Sequence, residues 1–204
     1  MKIICLANNF REHALEINHE VPDKPVFFLK PDTALLRNNN AFFLPDFSDE
    51  IHHEVELVFK ISRLGKSIER KYAHRYYETI GLGIDFTARD IQRECKKAGR
   101  PWEISKAFDG SAAVSNVFIN KNQFHDLNNI KFRLDINGNT VQKGCSCNMI
   151  FKIDEVIEYV SRFITLKTGD FIFMGTPPGV GKVKIGDRLQ AYIEDNLLLD
   201  FLIK

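Results

Sequence analysis

Glu54-Val55-Glu56-Leu57-Val58-Phe59-Lys60-Ile61 opens with a strict polar–apolar alternation and continues as a β-prone run. Side chains two apart on a strand share a face. Glu54 and Glu56 therefore lie side by side, with Val55 and Leu57 on the opposite, buried face. Two carboxylates held that close repel unless a proton or a cation sits between them. A third acid, Asp85, ends the glycine-rich apolar run Gly81-Leu82-Gly83-Ile84-Asp85. Together the three make an all-oxygen ligand set for a hard divalent ion, Mg²⁺ first, with Mn²⁺ or Ca²⁺ as alternatives. Solvated acids on an exposed strand face are the competing reading. His52 shares the face of the glutamates and is a candidate to support or join the ligands. His52-His53-Glu54 lacks the HExxH spacing of a catalytic zinc site.

Around this run strands dominate. Val26 to Leu29, Ile130 to Ile136, Phe171 to Met174 and Leu189 to Ile193 are short and bounded by turn residues. Asn137-Gly138-Asn139 is a hairpin turn. Three helices are predicted. Lys66 to Ile80 repeats apolar residues at 68, 72, 76 and 80. Thr87 to Ala98 opens on a capping box formed by Thr87 and Asp90. Asp154 to Leu166 aligns Val156, Ile157, Val160 and Ile164. Few helices among many strands, without regular βαβ alternation, give an α+β class.

The 204 residues suit a single domain, 1–204, that can bury a sizeable core. A net charge of +1 steers the chain toward neither nucleic acid nor an acidic membrane surface. No apolar run approaches the ~20 residues of a membrane span. Met1 to Leu6 reads as a first strand rather than a signal peptide. Four scattered cysteines, Cys5, Cys95, Cys145 and Cys147, lack zinc or redox spacing and are expected as free thiols in the cytoplasm.

Three further stretches carry chemistry. In Asn9-Phe10-x-x-His13-x-x-Glu16, helical spacing lets Glu16 orient His13 as a general base, though a surface His–Glu pair has the same spacing. Gly175-Thr176-Pro177-Pro178-Gly179-Val180-Gly181-Lys182 misses the P-loop spacing by one residue. Val183 stands where a Mg²⁺-binding hydroxyl belongs, so nucleotide binding is excluded. What remains is a rigid turn presenting Thr176 and backbone N–H groups to a small anion. Arg89 and Gln92 sit three apart just after Asp85, and Lys106 follows Trp102 in a loop or strand start. All three are within reach of a carboxylate near the metal.

Taken in order, these pieces resemble the fumarylacetoacetate hydrolase family, in particular its short acylpyruvate hydrolase branch. The matching stretches are Asn9 to Glu16, Phe28-Leu29-Lys30-Pro31, His52 to Leu57, Gly83 to Asp90, Lys106-Ala107-Phe108-Asp109, Met149-Ile150-Phe151 and Gly175 to Gly181. The resemblance implies a roll of mixed sheets with few short helices, a homodimer, and one divalent ion held by Glu54, Glu56 and Asp85. It implies a small 2-oxo acid substrate, with Arg89, Gln92 and Thr176 fixing the pyruvoyl end. Residues 1–20 would include a mobile lid. His13, oriented by Glu16, would activate a water against the distal carbonyl of an acylpyruvate. Lys106 would help stabilise the departing enolpyruvate. The leading expectation is thus C–C bond hydrolysis. The alternatives are oxaloacetate decarboxylation or tautomerisation, hydroxymuconate-type isomerisation, and a non-enzymatic dicarboxylate binder. Two departures from the family pattern stand out, the first bearing on the hinge of the lid and the second on substrate choice. Ala7 replaces a common glycine before the His-x-x-Glu element. Gly144-Cys145-Ser146-Cys147-Asn148 replaces a common Gly-Asn-Thr-Ser-Asp.

Overall fold

The computed structural model describes residues 1–12 and 22–204. Its strands in chain order are β1 Ile3–Ala7, β2 Val26–Lys30, β3 Leu35–Leu36, β4 Ile51–His53, β5 Val55–Ile61, β6 Tyr77–Asp85, β7 Thr87–Ala88, β8 Ala112–Val114, β9 Ile119–Asn120, β10 Lys131–Ile136, β11 Asn139–Cys145, β12 Phe171–Phe173, β13 Gly181–Lys182, β14 Arg188–Ile193 and β15 Asn196–Leu202. Four α-helices stand among the described residues: α1 Arg70–Ala73, α2 Arg89–Lys97, α3 Glu103–Lys106 and α4 Ile153–Phe163. This is the expected α+β balance of many strands and few short helices.

The largest sheet has eight strands in the order β2-β1-β12-β5-β6-β8-β3, with β9 pairing the start of β6. It is mixed: β1 with β12 and β3 with β8 are parallel, the other pairs antiparallel. A four-stranded antiparallel sheet, β11-β10-β14-β15, packs against it, and β13-β4-β7 form a small third sheet. Leu57, Leu82, Ile84, Phe132, Leu134, Ala191 and Val156 join the main core between these layers. A second apolar cluster of Ile3, Cys5, Val58, Ala112, Val114, Phe171 and Phe173 fills the other side of the large sheet. The central strands β5 and β6 are thus covered on both faces, which makes their polar residues unusual. The β10–β11 hairpin turns on Asn137 and Gly138, both at positive φ, as the Asn-Gly pair requires.

Several expectations are corrected. The helix expected over Lys66 to Ile80 shrinks to α1. Ser67 takes a positive φ of 51°, and from Tyr77 the chain runs as β6, pairing Lys60 with Thr79 on one side and Asn120 with Thr79 on the other. The β-prone Tyr76-Tyr77-x-Thr79-Ile80 is claimed by pairing on both edges, which overrides a four-residue apolar repeat. Helix α2 begins at Arg89, not Thr87. Its N-cap is Ala88, with no side-chain cap, because Thr87 and Ala88 pair with β4. Asp90 instead accepts from Ser48 Oγ (2.7 Å) and the Asp49 amide (3.0 Å). Lys106 ends helix α3 rather than lying in a loop. Helix α4 opens one residue before Asp154, with Glu155 accepting from the Lys152 amide at 2.8 Å, and it closes at Phe163.

The expectation of four free thiols holds for the buried Cys5 and Cys95 but not for the other pair. Cys145 and Cys147 are bonded across Ser146, where a tight turn brings their Cα atoms to 5.1 Å. Cys147 is exposed and Cys145 half-buried.

Candidate active site

The site follows from strand register. β5 and β6 run antiparallel with Val55 opposite Ile84 and Glu56 opposite Gly83. One step further the Asp85 amide donates to the Glu54 carbonyl at 2.9 Å. Opposite residues on antiparallel strands point to the same side, so Glu54, Glu56 and Asp85 converge. Their oxygens lie within 4.8 Å of one another, and all three residues are buried. Gly83 leaves the space beside Glu56 to the Phe173 ring, which a Cβ would overlap; Val58 Cγ2 would stand 2.9 Å away. Glu54 sits at the break between β4 and β5, where the chain passes from the small sheet to the large one.

Three cations answer Glu54 and Asp85. Lys106 Nζ donates to Glu54 Oε2 at 2.7 Å, Asp85 Oδ2 at 2.8 Å and Thr87 Oγ1 at 2.6 Å. Lys30 Nζ lies 2.7 Å from Asp85 Oδ1 and donates to the Lys106 carbonyl, to the Ser111 carbonyl and to Ser111 Oγ. Arg89 pairs with Glu54 Oε1 and donates to Gln92 Oε1 at 2.6 Å. Glu56 has the Gly175 amide at 2.6 Å as its donor. Burial, and then the charges of Asp85 and Glu54, hold the Glu56 carboxyl well above the usual carboxylate range. Burial pulls Lys106 down, but Asp85 and Glu54 outweigh it, so its ammonium ends above the ordinary lysine value.

Thr176 is buried at the cleft. Its hydroxyl donates to the Val55 carbonyl at 2.9 Å and accepts from Gln142 Nε2 at 2.9 Å. Gln142, from β11 of the second sheet, also accepts from the Val55 amide (3.1 Å) and contacts His53 Nδ1 (2.8 Å). This ties the Thr176 turn to the strand that carries the glutamates. The cleft above the acids is lined by Leu6, Ala7, Phe28 and Trp102 on its apolar side, with the polar Asn8 beside them. Arg89, Gln92, Lys96, Lys106 and Thr176 line its polar side.

The ten residues singled out by sequence divide clearly. Glu54, Glu56, Asp85, Arg89, Gln92, Lys106 and Thr176 meet at one cleft. His13 and Glu16 lie outside the described residues. The chain just before them is anchored: the Asn9 side chain donates to the carbonyls of Phe151 (3.1 Å) and Met174 (2.8 Å) and accepts from the Phe151 amide (2.8 Å). His52 does not join the glutamates; its Nε2 lies 3.0 Å from Glu50 Oε1. Sequence reasoning missed the contacts that Lys30, Thr87 and Gln142 make at the site. Lys30 ends the apolar run Val26-Phe27-Phe28-Leu29 and lies in the family-like stretch Phe28-Leu29-Lys30-Pro31, which were the available signals for it.

The donor set passes a chemical test for a metal. Three buried carboxylates with converging oxygens and no sulfur or imidazole among them suit a hard divalent cation such as Mg²⁺ or Mn²⁺. A cation would also relieve the mutual repulsion that raises Glu56.

A family model described as fumarylacetoacetate (FAA) hydrolase C-terminal matches residues 2–198. The chain belongs to the fumarylacetoacetate hydrolase family. Among its relatives is the mitochondrial oxaloacetate tautomerase FAHD1 of Bos taurus, 39% identical over 202 residues, covering 99% of this chain and 91% of the relative. The Homo sapiens protein of the same name is 38% identical over the same span. Among solved structures, a putative family member from Yersinia pestis CO92 superposes with a TM-score of 0.95 at 37% identity, covering 100% of this chain and 93% of that one. The fumarylpyruvate hydrolase of Pseudomonas aeruginosa, solved with Mn²⁺ and pyruvate, gives 0.91 at 30% identity, covering 100% and 90%. The family's fold is therefore the fold of this chain.

Proposed function

We propose that this family member is a metal-dependent enzyme of enolisable 2-oxo acids, and that keto–enol tautomerisation of oxaloacetate is its principal reaction. The observation that carries the reading is the buried Lys106 ammonium, 2.7 Å from Glu54 and 2.8 Å from Asp85, at a cleft it shares with Arg89 and Gln92. A positive centre held in a water-poor site stabilises the oxyanion of an enolate where it develops. Arg89, oriented by Gln92, receives the substrate carboxylate, and Lys106 faces the 2-oxo oxygen. His13, with Glu16 as its acceptor, takes the proton from C3 and passes it to solvent, a water protonates the enolate oxygen in turn, and Lys106 keeps its proton and stabilises the charge on that oxygen. One C–H bond breaks and one O–H bond forms, with no change of oxidation state. A divalent ion held by Glu54, Glu56 and Asp85 would add Lewis-acid polarisation of the 2-oxo group; Mg²⁺ is the proposed ion, with Mn²⁺ next. Supporting this order are the tautomerases at 38–39% identity over nearly the whole chain.

Hydrolysis of acylpyruvates, the leading expectation from sequence, is the second reading, favoured by the likeness to the fumarylpyruvate hydrolase. There His13 would direct a water to the distal carbonyl carbon, the C–C bond would break, and pyruvate would leave as the same enolate. A homodimer and a cytoplasmic location belong to the proposal too. The tautomerase relatives are named mitochondrial, and no described helix is long and apolar enough to cross a membrane.

The deciding experiment follows oxaloacetate, acetylpyruvate, fumarylpyruvate and a hydroxymuconate analogue by NMR with Mg²⁺. Accelerated enol–keto exchange of oxaloacetate without cleavage supports tautomerisation. Release of pyruvate from the acylpyruvates, with oxaloacetate exchange unchanged, would overturn it in favour of hydrolysis.

A further inference from the structure

Phe28 and Trp102 line two hollows at once. One is the cleft above the acids. The other is a groove with a cavity volume of about 260 Å³, lined also by Val26, Leu29 and Pro101. The two rings meet edge-on with centres 6.1 Å apart. We propose that they form a wall that limits the length of the substrate. Trp102 is then the specificity-determining residue that confines the cleft to short 2-oxo acids, such as the four-carbon oxaloacetate, and turns away acids with a bulky apolar tail. The inference rests on the reading of the cleft as a 2-oxo acid site.

The wall stands where an apolar tail is driven. Lys106 Nζ, which faces the 2-oxo oxygen in that reading, lies 5.4 Å from the centre of the Phe28 ring. Laid against Glu54 or Arg89 instead, a hydrocarbon tail would strip water from charge. Both rings are fixed from behind. Phe28 stands on β2, two residues before the buried Lys30, and packs against the second apolar cluster. Trp102 precedes α3, and its carbonyl accepts from the Ser105 amide (2.9 Å), the Lys106 amide (3.0 Å) and Ser105 Oγ (2.8 Å). Its indole is half-buried. The backbone at 102 is thus held by bonds that do not involve the indole, and the side chain can change without releasing Lys106. Behind the wall there is room: an apolar cavity of ~150 Å³ takes up a benzene ring, and the groove is larger than that.

The test uses the Mg²⁺-loaded protein and two matched ligands, oxamate and N-benzyloxamate. They share a carboxylate–carbonyl head that cannot enolise and differ in the phenyl tail. By calorimetry the parent protein should prefer oxamate roughly tenfold or more. Trp102→Ala should cut that preference roughly tenfold or more, because the tail gains an apolar seat in the groove. Adding Val26→Phe, which fills the groove, should restore the preference. A parent without the preference, an unchanged ratio in Trp102→Ala, or a gain that survives Val26→Phe would overturn the wall while leaving the 2-oxo acid reading intact. Failure of both ligands to bind the unaltered protein would overturn that reading and the wall with it.

Discussion

Lys30 and Asp85 form an ion pair 2.7 Å long in which neither side chain is more than 1% exposed. Lys30 occupies one oxygen of Asp85, and Lys106 donates to the other at 2.8 Å. The same Lys30 ammonium holds the carbonyl of Lys106. One buried lysine thus sets both a candidate metal ligand and the backbone behind the second lysine. This is why a strand distant in sequence, β2, belongs to the site.

The first prediction follows from that pairing. Removing one partner of a buried pair strands the other, at a cost of roughly 3–5 kcal/mol. Lys30→Met should lower the stability of the metal-free protein by an amount of that order in denaturant titrations. It also makes the site more negative, so added Mg²⁺ or Mn²⁺ should recover part of the loss. Stability unchanged in chelator would show that Lys30 is not needed to hold Asp85.

Glu56→Gln should move stability and metal binding in opposite directions. Burial and the charges of Asp85 and Glu54 disfavour the ionised Glu56, so a neutral amide removes repulsion while its oxygen can still accept from the Gly175 amide. The metal-free variant should melt at a higher temperature than the parent protein. Loss of one of three charged ligands should weaken divalent-ion binding by roughly 100-fold or more in calorimetry, at or above the upper end of what outer-sphere changes cost. Asp85→Asn should weaken binding likewise and abolish activity with the fold retained. Unchanged metal affinity in both variants would count against the three-acid site.

Thr87 is the third case. Its hydroxyl accepts from Lys106 Nζ at 2.6 Å and contacts the Asp85 carbonyl at 3.3 Å. Thr87→Ser keeps both contacts and should retain most activity. Thr87→Val matches the shape but leaves a buried ammonium donor unsatisfied, worth ~1–3 kcal/mol. Its kcat should fall roughly 5- to 100-fold, more than KM changes, because Lys106 faces the charge that develops during reaction. A pure KM effect would place Thr87 in ground-state binding instead.

What could be read from sequence follows the range of the interactions. Glu54, Glu56 and Asp85 were legible because a strand's two-residue period decides who shares a face. Lys66 to Ile80 misled because residues four apart also share a strand face, and long-range pairing with β5 and β9, not local periodicity, decided the conformation. Thr87 imitated a helix cap, yet its backbone is taken by β4 and its hydroxyl by Lys106. Gln142 gave no signal, since it reaches Val55 across 87 positions and from another sheet. Asn9 and Met149-Ile150-Phe151 were recognised as motifs, but only the structure shows that the first is clasped by the third, through the Asn9 side chain and the Ile150 amide.

Gly83 carries the fourth prediction. It lies opposite Glu56, and a Cβ there would overlap the Phe173 ring and come within 2.9 Å of Val58 Cγ2. Phe173 is fully buried and two residues from Gly175, the donor to Glu56. Gly83→Ala should therefore destabilise by ~1–3 kcal/mol through overpacking. It should also weaken metal binding by displacing the Gly175 turn. Phe173→Leu in the same chain should recover stability, which a cost confined to backbone entropy would not allow.

Lys96 supplies a test by pH. Its ammonium is lowered to about 8 by burial, Arg89 and Lys106, with Glu54 opposing, whereas an unfolded lysine titrates near ~10.4. Between these values the unfolded chain binds more protons than the folded one. The contribution of this group to stability therefore rises as pH climbs from about 8 toward roughly 10.4, and below 8 its charge is a full burden on the fold. Lys96→Met removes the burden. The variant should melt higher than the parent near neutral pH, and the difference should shrink through the alkaline range as the parent lysine loses its proton. Half-exposure and solvent screening keep the effect modest. Melting curves of both proteins from neutral to alkaline pH provide the measurement, and a difference constant across that range would mean that the substitution acts through packing against Trp102 rather than through charge.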